Sequence, residues 1–274
     1  MPVSESEGLS EECAEIVTTA DCLDGSLMFH LVTDILGFVL FMHQQIPSPL
    51  QDICFEFDTL QTNYKELETE LEHAELRASS RRKHIGRMRE VKQGIKRLHK
   101  LMNSFSSFRT SLQLVISEIP AIQCVIVTLG PSPIRPLHVY ELRFAHGKVT
   151  SAGDFETKSK AADGLSRKAI RSLISKGAGA NSYAGPTKLF MLIKAPSSFN
   201  HPQHFLPKRD FKYNKKIVPF RLRIKCRSQD QEVSPQTADS DTNHRLNSIS
   251  NDFIWFQCRH VITGIASRAS PTEE

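Results

Sequence analysis

Three groups of residues have types that could do chemistry. His201 and His204, separated by two residues, offer two imidazoles to a metal, but no cysteine or second histidine pair completes a tetrahedral set. They read as exposed loop histidines. Gly177-Ala-Gly-Ala-Asn181 has the glycines of a phosphate-cradling loop. It follows a helical segment and lacks a closing Gly-Lys-Ser/Thr, so it reads as a connector. The six cysteines (Cys13, Cys22, Cys54, Cys124, Cys226, Cys258) form no C-x-x-C pair; Cys124 and Cys258 fall in strand-like runs and read as small core hydrophobes. Neither G-x-S-x-G nor H-E-x-x-H occurs. The residues alone point to an interaction protein, not an enzyme, with no metal and no cofactor.

The elements that position these residues sit in a chain of ordinary globular composition: 274 residues, 39% apolar and 24% charged. That length holds one or two domains. The net charge of +5 is unevenly spread. The N-terminus is acidic, as is the block from Glu66 to Glu75; basic blocks run over Arg77–Lys100 and Lys208–Arg227. Alternation of this kind marks solvated helix faces and partner surfaces more than a nucleic-acid stripe. Arg81-Arg82-Lys83 and Lys96-Arg97-Leu98-His99-Lys100 fit nuclear-import patches, though such runs are more often plain helix surface. No signal peptide opens the sequence, and a reduced intracellular compartment is expected. The longest apolar stretch, Leu27–Ile46, is interrupted by His30, Thr33, Asp34 and His43, which argues against a membrane span.

Residues 1–24 read as an acidic disordered tail, and 25–270 as one domain with a flexible polar loop at about 228–251. Asp24 or Ser26 caps a first helix with apolar positions Leu27, Leu31, Ile35, Phe38 or Val39, and Met42. It ends before Pro47. An acidic helix is expected over about 59–79. Met88, Val91, Ile95, Leu98, Met102 and Phe105, continued by Phe108, Leu112, Val115 and Ile119, then define one apolar face of a helix of about 35 residues, roughly 50 Å long. Such a helix is a central spine or a coiled coil; its aromatic stripe without a flanking charge code favours the spine.

Strands follow. Ile122–Leu129 is a near-continuous apolar run with a hairpin partner at Leu137–Phe144. A short helix spans 161–175, and Leu189–Ile193 can form a strand. Phe211–Tyr213 and Ile217–Cys226 read as a basic hairpin with Val218, Phe220, Leu222 and Ile224 inward. The last run, Asp252-Phe-Ile-Trp-Phe-Gln257, carries the only tryptophan of the chain. An aromatic strand beyond a floppy polar segment returns the chain to its core, so Phe253, Trp255 and Phe256 are read as closing the fold, with Trp255 a large buried ring. Helices first and strands second describe an α+β domain with helices on one sheet face.

Several separated stretches share a family pattern. Met42-His-Gln-Gln-Ile-Pro47 ends the first helix; Val125-Ile-Val-Thr-Leu-Gly130 leads to Tyr140-Glu-Leu142; Leu206-Pro-Lys208 opens into Phe211-Lys-Tyr213; and the tryptophan strand ends the set. In this order, from about Leu27 to Ile265, the chain resembles the comet family, adaptors that bind the spindle-checkpoint protein Mad-two. The resemblance implies a HORMA-like fold. In it a long central helix and helical layer pack on a mostly antiparallel sheet closed by C-terminal strands. It further implies a non-enzymatic adaptor that presents closed Mad-two, or a related meiotic HORMA protein, to a hexameric AAA+ remodelling ATPase. Checkpoint silencing and meiotic synapsis and recombination would be its settings, in nucleus and cytoplasm, at kinetochore or spindle and on meiotic chromosomes.

Carried over residue by residue, the Mad-two surface would include Met42, Ile170, Arg171 and Ile174 together with a face of the long helix, and the ATPase handle would be Pro207 and Lys208, on an exposed stiff loop. The family pattern has a polar residue where Met42 stands and an aromatic where Ile170 stands, so Ile170 has both a core and a contact reading. Two other classes compete. One is a HORMA protein capturing a partner peptide under its own C-terminal belt by strand addition. The other is a basic nucleic-acid binder.

Overall fold

The computed structural model describes residues 13–18, 20, 22–73, 78–119, 122–145, 155–180, 185–226 and 253–265. Among these, four helices and eight strands form a mixed α+β architecture on one open, mostly antiparallel sheet. The polar stretch 228–251 and residues 1–12 lie outside the described residues.

Helix α1 (Gly25–Met42) starts where Asp24, not Ser26, accepts a 2.7 Å hydrogen bond from the Leu27 amide. This satisfies an orphan N–H of the first turn. Its length and mean hydropathy of 1.7 would suit a membrane span. Twelve of its residues are instead buried among protein neighbours, from Gly25 through Leu40. An apolar helix surrounded on most sides is a core helix.

Helix α2 (Leu50–His73) begins directly after the Pro47–Pro49 turn, nine residues before the expected start. Its inward residues Ile53, Phe57, Leu60, Tyr64 and Leu67 recur at four and three. The expectation centred on the acidic block and missed the apolar stripe ahead of it. Helix α3 (Ala78–Glu118) is longer than expected and has two natures. Phe108, Leu112, Val115 and Ile116 are buried against α1 and the sheet, as a spine requires. Its N-terminal half instead pairs with α2 as a helical hairpin. His99 stacks on Phe57 at 6.1 Å, Lys92 sits 5.8 Å from the Tyr64 ring, and His84 Nε2 reaches the Leu67 carbonyl at 2.8 Å. The single stripe therefore serves two partners in succession.

Strands β2 (Cys124–Gly130) and β3 (His138–Ala145) form the expected hairpin. Strand β4 (Lys188–Pro196) flanks β2 on its other side. Strand β6 (Phe220–Lys225) departs from expectation: it pairs parallel with β3, and 211–214 is irregular, so no basic hairpin forms. Alternation showed that 220–225 is a strand but not which neighbour it takes. Val218, placed inward by the pattern, is 85% exposed.

Within the segment read as a disordered tail, Cys13–Val17 forms strand β1, parallel to β6 at one sheet edge. Only Ile16 of its five residues is buried, so its apolar signal is faint.

At the C-terminal end, β7 (Phe253–Cys258) lies between β4 and β5 (Phe205–Lys208), and β8 (Ile262–Thr263) also pairs with β4. The strand order is β1-β6-β3-β2-β4-β7-β5. Helix α4 (Lys160–Ser175), capped by Ser159 on the Ala162 amide, joins α1 and α3 on one sheet face. There Val127, Tyr140, Leu142, Met191, Ile193 and Phe256 point into the main core. The opposite face carries a small second cluster: Cys124, Ile126, Val139 and Leu192, covered by Phe211, Tyr213, Ile217 and Trp255. Trp255 is thus a half-buried ring on the thin side of the sheet, and Phe253 is half-buried too. Phe256, 3% exposed, is the aromatic of this strand that enters the main core.

The motif Met42–Pro47 acts as a clasp. Gln44 turns the chain with φ 52. Buried Gln45 donates from Nε2 to the carbonyls of His43 (2.8 Å) and Gly185 (3.2 Å), and its Oε1 accepts from the Thr187 amide (2.7 Å). Its carbonyl accepts from the Ile265 amide at 2.8 Å. A Cβ on Gly264 would lie 2.2 Å from Gln45 Oε1, so glycine there leaves room for the Gln45 side chain. His43, stacked on His138 at 4.0 Å, shares a 2.6 Å hydrogen bond with the Tyr140 hydroxyl.

Candidate partner-binding surface

Helices α1 and α4 run side by side in the same direction. Phe155 packs edge-on against Phe29, Lys158 Nζ meets Asp34 Oδ2 at 2.6 Å, and Gly179 lies against Met42. Three successive contacts thus hold α4 along α1. Lys158 also reaches Asp163 at 3.2 Å. Burial alone would lower the Lys158 pKa, but the two carboxylates outweigh it and hold the ammonium above its ordinary range.

The expected Mad-two contacts fall on this pair of helices in unequal ways. Met42 is half-buried, and a Cβ on Gly179 (φ 86) would meet its Cε at 2.8 Å. Met42 therefore buttresses the turn after α4, between the two helices. Ile170 is half-buried and lines a groove; Arg171 is exposed; Ile174, one turn on from Ile170, is 51% exposed. Phe41, absent from the sequence reading, is 40% exposed and lines the same groove as Ile170. Its signal was available: an aromatic lying off the helix's apolar stripe.

Pro207 and Lys208 are exposed, but they belong to edge strand β5, opposite Phe256 and Trp255, and not to a loop. An edge strand turns alternate N–H groups away from its single neighbour, which is where proline is tolerated. Six strand spacings separate β5 from β1, where Lys168 of α4 reaches the Val17 carbonyl. At about 4.8 Å per strand, the handle and the β1 edge that α4 contacts lie roughly 29 Å apart across the sheet.

The remaining candidates are structural. His201 and His204 are half-buried, not exposed. His201 pairs with the Glu118 carboxylate, and His204 Nδ1 lies 3.1 Å from Ser111 Oγ and 3.0 Å from His260 Nε2, tying β5 to α3. Burial, then the neighbouring His204, lowers the His260 pKa. Among the described residues no group of three or more His, Cys, Asp or Glu side chains could hold a metal ion. Burial pushes the Cys124 thiol up to about 12, with Glu141 adding to it, and the Cys258 thiol up to about 11; both are poor nucleophiles. Residues 177–180 form the turn that ends α4, with the Ala178 amide donating to the Leu173 carbonyl; Asn181 lies outside the described residues.

Two cations of the expected basic hairpin, Arg221 and Lys225, pair with carboxylates, and Arg143 of β3 shares one of them. Arg221 Nε and Arg143 both reach the carboxylate of Glu141, at 3.0 and 2.8 Å, and Lys225 pairs with Glu15. Glu141, 7% exposed, is clamped between two guanidiniums beside the second cluster.

Fold and surface together define an α+β protein in which exposed Phe41 and Ile174 lie on the paired helices α1 and α4. No protein-family model matches the chain, and no curated protein matches it at a significant level.

Proposed function

We propose that this protein is a non-enzymatic adaptor with a HORMA-like fold, which binds closed Mad-two or a related HORMA protein and presents it to a hexameric AAA+ remodelling ATPase. It would act in checkpoint silencing and meiotic chromosome-axis turnover, in nucleus and cytoplasm. The observation that carries the reading is the α1–α4 face, where exposed Phe41 and Ile174 flank Ile170 on the helix that the comet resemblance makes the contact element. Apolar anchors beside a groove are what a partner's central contacts need. Pro207 and Lys208 lie at the sheet edge opposite the one that α4 contacts, which supports simultaneous engagement of two partners. Capture of a peptide by strand addition has less support: β7 is paired on both sides, and β5 offers an edge of only four residues broken by proline.

Phe41→Asp with Ile170→Asp places two charges in the proposed contact without touching the Met42–Gly179 buttress. Binding of closed Mad-two, read by calorimetry, should weaken at least about 30-fold, while the far-ultraviolet spectrum and melting temperature stay near wild type. Pro207→Ala with Lys208→Ala should leave binding intact and abolish ATPase-driven conversion of Mad-two to its open form. Full binding by the first variant would move the partner elsewhere, and full conversion with the second would move the ATPase.

A further inference from the structure

We propose that the groove bounded by α1, α2, α3 and α4 is a receptor for a phenol ring, a tyrosine carried by the protein that docks on this face. The proposal rests on reading the α1–α4 face as a partner surface. The groove encloses about 560 Å³. Phe38, Phe41, Phe105, Leu50 and Ile170 supply apolar sides, one or two from each helix. Lining it as well are Thr33 and Ser166, whose Oγ1 and Oγ atoms are buried without a hydrogen-bond partner. Ser166 is only 2% exposed. Buried hydroxyls are almost always bonded in folded proteins, so two orphans in one groove ask for a ligand group.

The chemistry of that group is narrow. The charged groups of the lining are engaged already: Lys158 with Asp34 and Asp163, Arg167 with Asp163 at 2.5 Å, and Arg109 over the Phe29 ring at 5.2 Å. A charged ligand would compete with these pairs, and a purely apolar one would seal the hydroxyls in unmet. A flat apolar ring with one hydroxyl at its far end satisfies walls and lining together. Tyrosine has that shape, and its O–H both donates and accepts, so it can serve two hydroxyls at once; the tryptophan indole only donates.

N-acetyl-tyrosinamide is a probe that needs no protein partner. Added to methyl-labelled full-length protein, it should shift the Ile170 and Leu50 methyl resonances saturably. It should bind about five-fold tighter than N-acetyl-phenylalaninamide, the worth of one net hydrogen bond. In the Thr33→Val, Ser166→Ala double variant the two probes should become equal, with the phenylalanine derivative unchanged. The absence of saturable shifts at these methyls, equal affinities in the wild type, or a difference that survives the double variant would each overturn the proposal. Should Phe41→Asp with Ile170→Asp abolish Mad-two binding while tyrosinamide leaves the groove silent, the groove alone fails. Tyrosinamide binding in a protein that ignores Mad-two would sink the adaptor reading and keep the receptor.

Discussion

The two faces of the sheet are built differently, and strand β7 shows it within two adjacent residues. Phe256 enters a core shared by three helices, at 3% exposure. Trp255, pointing the other way, lies 5.9 Å from Phe211 over a patch of four buried side chains, roofed by an irregular stretch. One face is held by close-packed volume. The other combines a small apolar patch with a carboxylate clamped by Arg143 and Arg221. An aromatic run announces a strand returning to a core, but period two assigns each ring to a face only when the covering elements are known.

The sharpest way to break this comparison is to empty each face in turn. Phe256→Ala should cost about 3–5 kcal/mol in urea unfolding, the loss of a large ring from a core that can only partly collapse. A smaller loss there than on the opposite face would reverse the assignment of the two sides.

Acid should loosen the helix-covered side next. Burial, reinforced by the adjacent His138, lowers the His43 pKa from 6.5 to about 4. The unfolded chain therefore binds a proton between pH 6.5 and 4 that the folded chain refuses. This contribution to stability is present above pH 6.5 and is lost as pH falls through that window, by about 3 kcal/mol at full extent. Denaturation midpoints at pH 7, 6 and 5 should fall, and more gently in His43→Gln. An equal slope in that variant would assign the acid response to other groups.

Trp255→Ala comes last, at about 1–2 kcal/mol, because its ring is only partly buried and its neighbours form a thin layer. A cost matching that of Phe256→Ala would mean that the second cluster is a full core.

Much of the fold was legible because local pattern and tertiary role coincide. The 122–144 hairpin announces itself through an apolar run, a proline turn and an alternating return. Helix α1 shows its cap and its stop. What failed depended on distant partners. Strand β1 buries only Ile16, too little apolar signal to rise above an acidic stretch. The 220–225 strand alternates cleanly but pairs parallel with β3 and β1, and alternation carries no information on the neighbour. Pro207 suggested a loop because proline removes a ladder donor, a loss that an edge strand tolerates. At the candidate surface, Ile170 and Ile174 were found through the resemblance. Phe41 was passed over as one more apolar residue of an apolar helix, and Met42 proved to face its own α4 turn.

The Gln45 clasp has a consequence for how the chain is made. Its amide reaches Thr187 across a sequence separation of 142 residues, and its carbonyl waits for Ile265. Helix α1 is made before either partner, and its C-terminal turn holds polar groups without them until residues 187 and 265 have followed. Contacts this distant must overcome loop-closure entropy before they contribute, so they form late. The nascent protein therefore passes through an interval in which apolar α1 lacks its later-made contacts, and exposed apolar surface of that kind is prone to aggregate.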